Sequence, residues 1–176
     1  LRGQFLNKQE KRMPLIPILK IVHIVSAGLW LSLLIYGIIL RSRINNAKGM
    51  PEEKGLILTW ISSLNLIGIV GSMGVLLTGL YLSLAIESYG FFKFASGANH
   101  WLYTKQFVMV IILILIGAVM IPSAKKIKGL LLPGLKSDQP LNEEAYTLLG
   151  KLKRVDISIN TLVILNILMA FSRYFL

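Results

Sequence analysis

Two histidines and a lysine carry most of the chemistry this sequence places beside or inside apolar runs. His23 stands in LKIVHIVSAGLWLSLLIYGIIL, one turn after Lys20, and His100 opens a later run in which Lys105 sits about one turn deeper. Ionisable groups inside lipid are costly and mark a site by default. Lys20 and His100 lie where such side chains snorkel to water; Lys105, one turn inside, either snorkels likewise or faces the bundle, and His23 and Lys105 are the candidates for a functional role. On a first helix His23, Ser26, Ala27, Trp30 and Leu34 recur at three and four residues and share one face. A tryptophan at the depth of Trp30 faces a bundle interior rather than an interface. An imidazole beside small residues and a flat ring can hold a planar cofactor through its iron, with the other ring nitrogen tuned by a hydrogen bond. The same spacing describes a packed histidine bonded to a serine or a backbone carbonyl. His23 is the first candidate iron ligand and His100 the second. Trp30 and Lys105 complete the candidate cofactor-binding set. Lys105 is expected to point inward and to pair with Glu87 or with an anionic group of a ligand, such as a haem propionate.

Other polar residues fall into patterns with simpler readings. Gly68, Gly71, Gly74, Thr78 and Gly79 form a small-residue stripe of the kind that lets helices approach closely in lipid, and it could leave room for a ring system. Ser62, Ser63 and Asn65 are expected to face Asp156, Ser158 and Asn160 across a helix pair, as interhelical hydrogen bonds or an ion path. Met73, Met109, Met120 and Met169 make no pair at copper-ligand spacing. The absence of cysteine excludes disulfides, thiolate metal sites and covalently attached c-type haem. No loop carries a phosphate cradle or a nucleophile–base pair.

The elements that must position these residues are long and apolar. The chain has 176 residues, 55% hydrophobic and only 15% charged, with a mean hydropathy of +0.68, a balance foreign to a water-soluble globule. Four runs, over about 18–40, 64–86, 101–121 and 155–174, reach the roughly 20 residues needed to cross a bilayer as helices. The third apolar run stops at Pro122. The first run follows Lys8, Lys11 and Arg12 like a signal peptide, but it is too long and too interrupted, and a retained helix is expected. The expectation is an all-α integral membrane four-helix bundle, one domain over 1–176. It is built of two helical hairpins, with helices two and four extending beyond the bilayer. Pro51-Glu52-Glu53 and Asn142-Glu143-Glu144 put acids into the first turns of those two helices, where they offset the helix dipole.

The formal net charge of +11 is distributed beside the apolar runs rather than along a polar face, which argues against nucleic acid as a partner. Eleven bases flank one end of the bundle: Arg41, Arg43, Lys48, Lys54, Lys125, Lys126, Lys128, Lys136, Lys151, Lys153 and Arg154. Eight belong to the other: Arg2, Lys8, Lys11, Lys20, Lys93, Lys105, Arg12 and Arg173. Cytoplasmic loops carry the excess of bases, so both termini are expected outside a cell membrane.

Lys20-x-x-His23 with Trp30 seven residues on resembles the first helix of HemJ-type protoporphyrinogen oxidases. Trp101-Leu-Tyr-Thr-Lys105 is similar to that family's Trp-Leu-His-x-Lys motif, and Leu141-Asn142-Glu143 to its Leu-Asn-Glu stretch. Position 39 is isoleucine where the family has arginine, and Tyr103 stands at the motif histidine. The wider likeness is to small CopD-like membrane proteins. The resemblance implies a compact helical membrane protein with haem b near His23 and Lys105 close by. The expected function is a haem-b redox or accessory subunit, with lipids and other membrane redox subunits as partners. The alternative is a small transporter or structural subunit that uses Asp156, Asn160 and Lys105 as packing or ion-path groups.

Overall fold

The computed structural model describes residues 15–94, 99–133, 135 and 140–172. Helix α1 spans Leu15–Asn46, α2 Glu53–Ala85, α3 His100–Leu115, α4 Ile121–Leu131 and α5 Glu143–Ser172. A π-helical turn, Ile116–Met120, joins α3 to α4 without a break, so they form one rod over His100–Leu131. Four rods, of 32, 33, 32 and about 30 residues, are long and apolar enough to cross a membrane, and no strand occurs among the described residues. The chain is a multi-pass integral membrane protein with the expected all-α four-helix architecture.

Length shows where the rods leave the lipid. Thirty-two residues at 1.5 Å each make ~48 Å, well beyond a hydrocarbon core of about 30 Å. Stretches without Asp, Glu, Lys or Arg run over 21–40 in α1, 55–86 in and just beyond α2, 106–124 in the third rod and 157–172 in α5. The surplus therefore protrudes mainly at the end rich in bases. All four rods extend there, not only the second and fourth. The third continues helically through Pro122, where its apolar run stops. A proline inside an α-helix removes a hydrogen bond and clashes with the carbonyl four residues back. The wider π turn, closed by Ile121 N–H on the Ile116 carbonyl, opens the helix just ahead of the ring. Lys125, Lys126 and Lys128 consequently lie exposed on α4, while Ser123, Ala124, Ile127 and Leu131 are buried on its other face.

That protruding end holds the densest core. Leu40 and Ile44 of α1, Ile57, Trp60 and Ile61 of α2, Ala124, Ile127 and Leu131 of α4, and Leu149 and Leu152 of α5 pack together, most at 1% exposure or less. A smaller cluster in the hydrocarbon band gathers Trp30, Leu33, Ile112, Ile159 and Val163. Most of the remaining large side chains there, such as Ile21, Ile24, Val25 and Leu66, face outward, as a lipid-facing surface requires. α1 packs along α2, and the third rod along α5, giving the two expected hairpins; α1 meets α5 and α2 meets α4 to join them.

The hairpin connections explain themselves locally. α1 ends in a turn that needs the left-handed backbone of Gly49, at φ +79°. α5 starts where Asn142 Oδ1 accepts the Ala145 N–H at 2.8 Å, a helix N-cap with Glu143 and Glu144 in the first turn. The basic N-terminal tail (Arg2, Lys8, Lys11 and Arg12), Lys136 and Arg173 lie outside the described residues.

Candidate functional site

His23 is half-buried on α1 and turned toward α2. Its Nδ1 lies 2.8 Å from Thr78 Oγ1, and the Thr78 hydroxyl donates its single proton to the carbonyl of Gly74. With that proton committed, the threonine oxygen accepts from His23, so Nδ1 carries the ring's hydrogen. The Val75 carbonyl, 3.4 Å from the same oxygen, is a further acceptor beside the ring. Gly79 admits this arrangement. A Cβ there would meet only Cε1, at 3.3 Å, and Nδ1, at 3.8 Å, so that edge of the imidazole faces α2 and Nε2 is turned away from it. The result is an imidazole held at its Nδ1 edge against α2, with Nε2 turned away from that helix.

Lys105, half-buried on α3, is near enough for its charge to bear on this imidazole. Its Nζ lies 5.8 Å from the centre of the Trp101 ring. The expected pairing with Glu87 does not form: Glu87 is exposed, and among the described residues no carboxylate lies within salt-bridge distance of Lys105. The loop after α2 leaves the helix axis at Ile86, which carries Glu87 outward while Lys105 turns toward the bundle.

His100 is exposed at the first turn of α3, its ring 6.3 Å from that of Phe94. It stands apart from His23. Ser83 is level with Gln106 through a 3.4 Å hydrogen bond, so His100 and the Thr78–His23 pair lie six and five residues to either side of that level. Eleven residues at 1.5 Å each make ~16 Å along the bundle axis, far beyond the span of two ligands on one iron. No cluster of three metal-ligating side chains occurs among the described residues.

Trp30 is buried, at 5% exposure, as its position on the helix face requires, but it serves a different neighbourhood. Its backbone fits against Gly71, where a Cβ would come within 3.1 Å of it, and Ser26 occupies the space beside Gly74. The small-residue stripe is thus filled by α1 itself and is a packing device.

On its other side Trp30 borders a small cavity with Asn65, Asp156 and Asn160. Asn160 Nδ2 donates to Asp156 Oδ1 at 3.1 Å, and Arg41 Nη1 donates to Asp156 Oδ2. Gly37 makes room for this ion pair, since a Cβ there would stand 3.2 Å from Nη1. The expected serine partners are not used. Ser63 and Ser158 donate to carbonyls of their own helices, and Ser62 is exposed. Arg41 had read as a loop base. Because α1 continues to Asn46, it becomes a helical side chain facing α5 and takes the Asp156 carboxylate.

Three further residues gain roles that their spacing did not signal. Tyr103, at 1% exposure, donates from its hydroxyl to the Tyr89 carbonyl at 2.7 Å. Gln106 donates to the Gly90 carbonyl at 2.9 Å and accepts the Phe92 N–H at 3.0 Å. Asn99 donates to the Ser88 carbonyl at 2.6 Å. Together they tie the connection after α2 onto α3, over the end of the bundle that carries His23. A polar residue every few positions in a loop gives no hint of such partners.

Fold and site define a class: a four-helix, multi-pass membrane protein with a histidine bonded to Thr78 across two of its helices and a lysine at the edge of its apolar zone that has no carboxylate within salt-bridge distance among the described residues. No family model, curated protein or solved structure matches the chain.

Proposed function

We propose that the chain is a membrane redox or accessory subunit that binds haem b through His23, with Lys105 receiving an anionic substituent of the porphyrin. One observation carries the reading: His23 is bonded through Nδ1 to Thr78 with its Nε2 edge turned away from α2, near the Lys105 ammonium, which has no carboxylate within salt-bridge distance among the described residues. Histidines that ligate metals regularly donate their other N–H to a fixed acceptor, which sets tautomer and ring orientation. When bound, the haem would supply one-electron chemistry, and His23 and Lys105 would hold and orient it. His23 would hold the iron through its imidazole. The height of His100 makes it a surface residue of the same leaflet rather than the opposite ligand. His23 does not line the cavity bordered by Trp30.

The decisive measurement is the absorbance spectrum of the purified protein after haem-replete expression and reduction with dithionite. A Soret band and an α band are expected, both lost in His23→Ala. A featureless spectrum from folded wild-type protein removes the proposal. An ion path through Asp156 and Asn160 has less support, because Arg41 neutralises the carboxylate and Asn160 occupies its other oxygen.

The same reading places the base-rich end in the cytoplasm and both termini outside a cell membrane. Eleven bases of the sequence stand at that end, against eight at the other.

A further inference from the structure

A second polar site lies outside the apolar zone, between the α1–α2 turn and the first turns of α5. It is a cavity of about 200 Å³ walled in part by Asn45, Lys48, Glu53, Tyr146 and Lys153. At ~30 Å³ per water that is room for about six waters, ample for a tetrahedral anion. Its level is fixed by the Arg41–Asp156 pair, the last charges before the uncharged bands of α1 and α5. Asn45 is four residues outward from Arg41 and Lys153 three outward from Asp156, hence ~5 Å beyond the hydrocarbon edge. That is the depth at which a bilayer carries its phosphates.

The cavity's charges do not balance internally. Lys153 Nζ donates to Asn45 Oδ1 at 2.6 Å, and Lys48 Nζ sits 4.9 Å above the Tyr146 ring. Neither ammonium has a carboxylate within 4.0 Å among the described residues. Glu53, at 2% exposure, is the one acid in the wall, and its Oε2 already accepts the Gly49 N–H at 2.8 Å and the Tyr146 hydroxyl at 2.9 Å. Glu53 bears on Lys153 with the opposite sign, and Arg41 and Lys48 counter it with the same sign. Two lysines against one glutamate leave a net charge of +1 around the space, opposite to that of a phosphodiester. Asn45, whose Oδ1 is occupied by Lys153, has its Nδ2 hydrogens open for an acceptor.

We infer that this cavity binds a phosphate anion, from the headgroup of an anionic phospholipid or from solution, held by Lys48 and Lys153 with Asn45 as a hydrogen-bond donor. Tyr146 sets the position of Lys48 by its ring and is itself held by Glu53. Basic pockets between helices at the membrane surface suit such headgroups, because ammonium groups meet the phosphate without leaving water entirely. The inference is independent of haem, and its test reads no property of the His23 site.

The full chain, purified in neutral detergent, is examined by native mass spectrometry with phosphatidylglycerol or phosphatidylcholine added. Inorganic phosphate serves as a competitor and, separately, as a stabiliser in melting experiments. Wild-type protein is expected to retain phosphatidylglycerol preferentially. Lys48→Gln/Lys153→Gln should weaken retention roughly thirtyfold, the effect of losing two cations at a membrane surface. Lys125→Gln/Lys151→Gln removes the same charge from exposed positions elsewhere and should leave retention unchanged. Lys48 is exposed, so Lys48→Gln alone, with a roughly fivefold loss, carries the test if the double variant does not fold. Stabilisation by inorganic phosphate that is lost in Lys48→Gln, without preference for phosphatidylglycerol, supports the site with a soluble source. Equal losses in the two double variants overturn the inference, as does indifference of the wild type to both anions.

Discussion

At the scale of single residues, the bundle holds two polar constructions that differ in how completely they are satisfied. The Arg41–Asp156–Asn160 group is closed: the carboxylate has a cation on one oxygen and an amide on the other, and Asp156 is 3% exposed. Removing the cation alone leaves a buried charge without compensation, which costs about 3–5 kcal/mol. Arg41→Leu should therefore lower the melting temperature sharply, while Arg41→Leu combined with Asp156→Leu should recover most of the loss. Failure of the second change to restore stability would show that the pair is not coupled. The His23–Thr78 construction is open at Nε2. Thr78→Val keeps the shape but removes the acceptor that fixes the tautomer, at a stability cost of about 1 kcal/mol. If His23 ligates haem, Thr78→Val and Lys105→Met should each reduce cofactor retention, read as haem per folded protein. An effect on melting without one on retention would assign both residues to packing.

Between elements, close approach is decided by glycine. α1 and α2 run together because Ser26 and Trp30 of α1 occupy the room left at Gly74 and Gly71 of α2. A Cβ at Gly74 would come within 2.3 Å of Ser26 Oγ and 2.8 Å of its Cβ, so Gly74→Ala must push the two helices apart or turn the serine aside. Gly117, in the π turn, meets nothing within 4 Å. Thermal unfolding in nanodiscs should separate the two: Gly74→Ala is expected to lower the melting temperature, and Gly117→Ala to leave it unchanged or raise it slightly. Equal responses would mean that the α1–α2 seam does not limit stability. The π turn has a separate use, since it lets one helix carry Pro122 and continue as α4, which supplies a third of the extramembrane core.

For the molecule as a whole, two solvents shape two halves. Outside the bilayer, water drives apolar side chains into the dense cluster around Trp60, Ile127 and Leu152. Inside it, lipid is as apolar as leucine, so burial brings little gain and outward-facing isoleucines and valines are stable where they stand. The proposed orientation rests on the bases at the first of these ends. A reporter fused after Leu176 should behave as extracytoplasmic, and a cysteine replacing the exposed Lys151 should react with thiol probes only from the cytoplasmic side. Labelling from outside would reverse the proposed orientation and place the His23 leaflet inward.

The sequence alone determined the properties that depend on composition and period. Uncharged runs of about 20 residues require helices across lipid, since no water is present to satisfy other backbone. Trp30 reads as interior from its depth, the glycine stripe as a packing face, and Glu143–Glu144 as a helix start. These signals are local, and each is carried by residues within one or two turns. What depended on rods meeting side by side was not legible. Thr78 as the partner of His23 is 55 residues away in the chain, and Arg41 as the partner of Asp156 is 115 away. Arg41 looked like loop charge because an apolar run, not the helix, ends before it; the height of His100 and the pairing of Lys105 likewise depended on how far α3 is offset from α1. The tertiary structure decided these because lateral register in a bundle is set by packing, which no periodicity along one helix encodes.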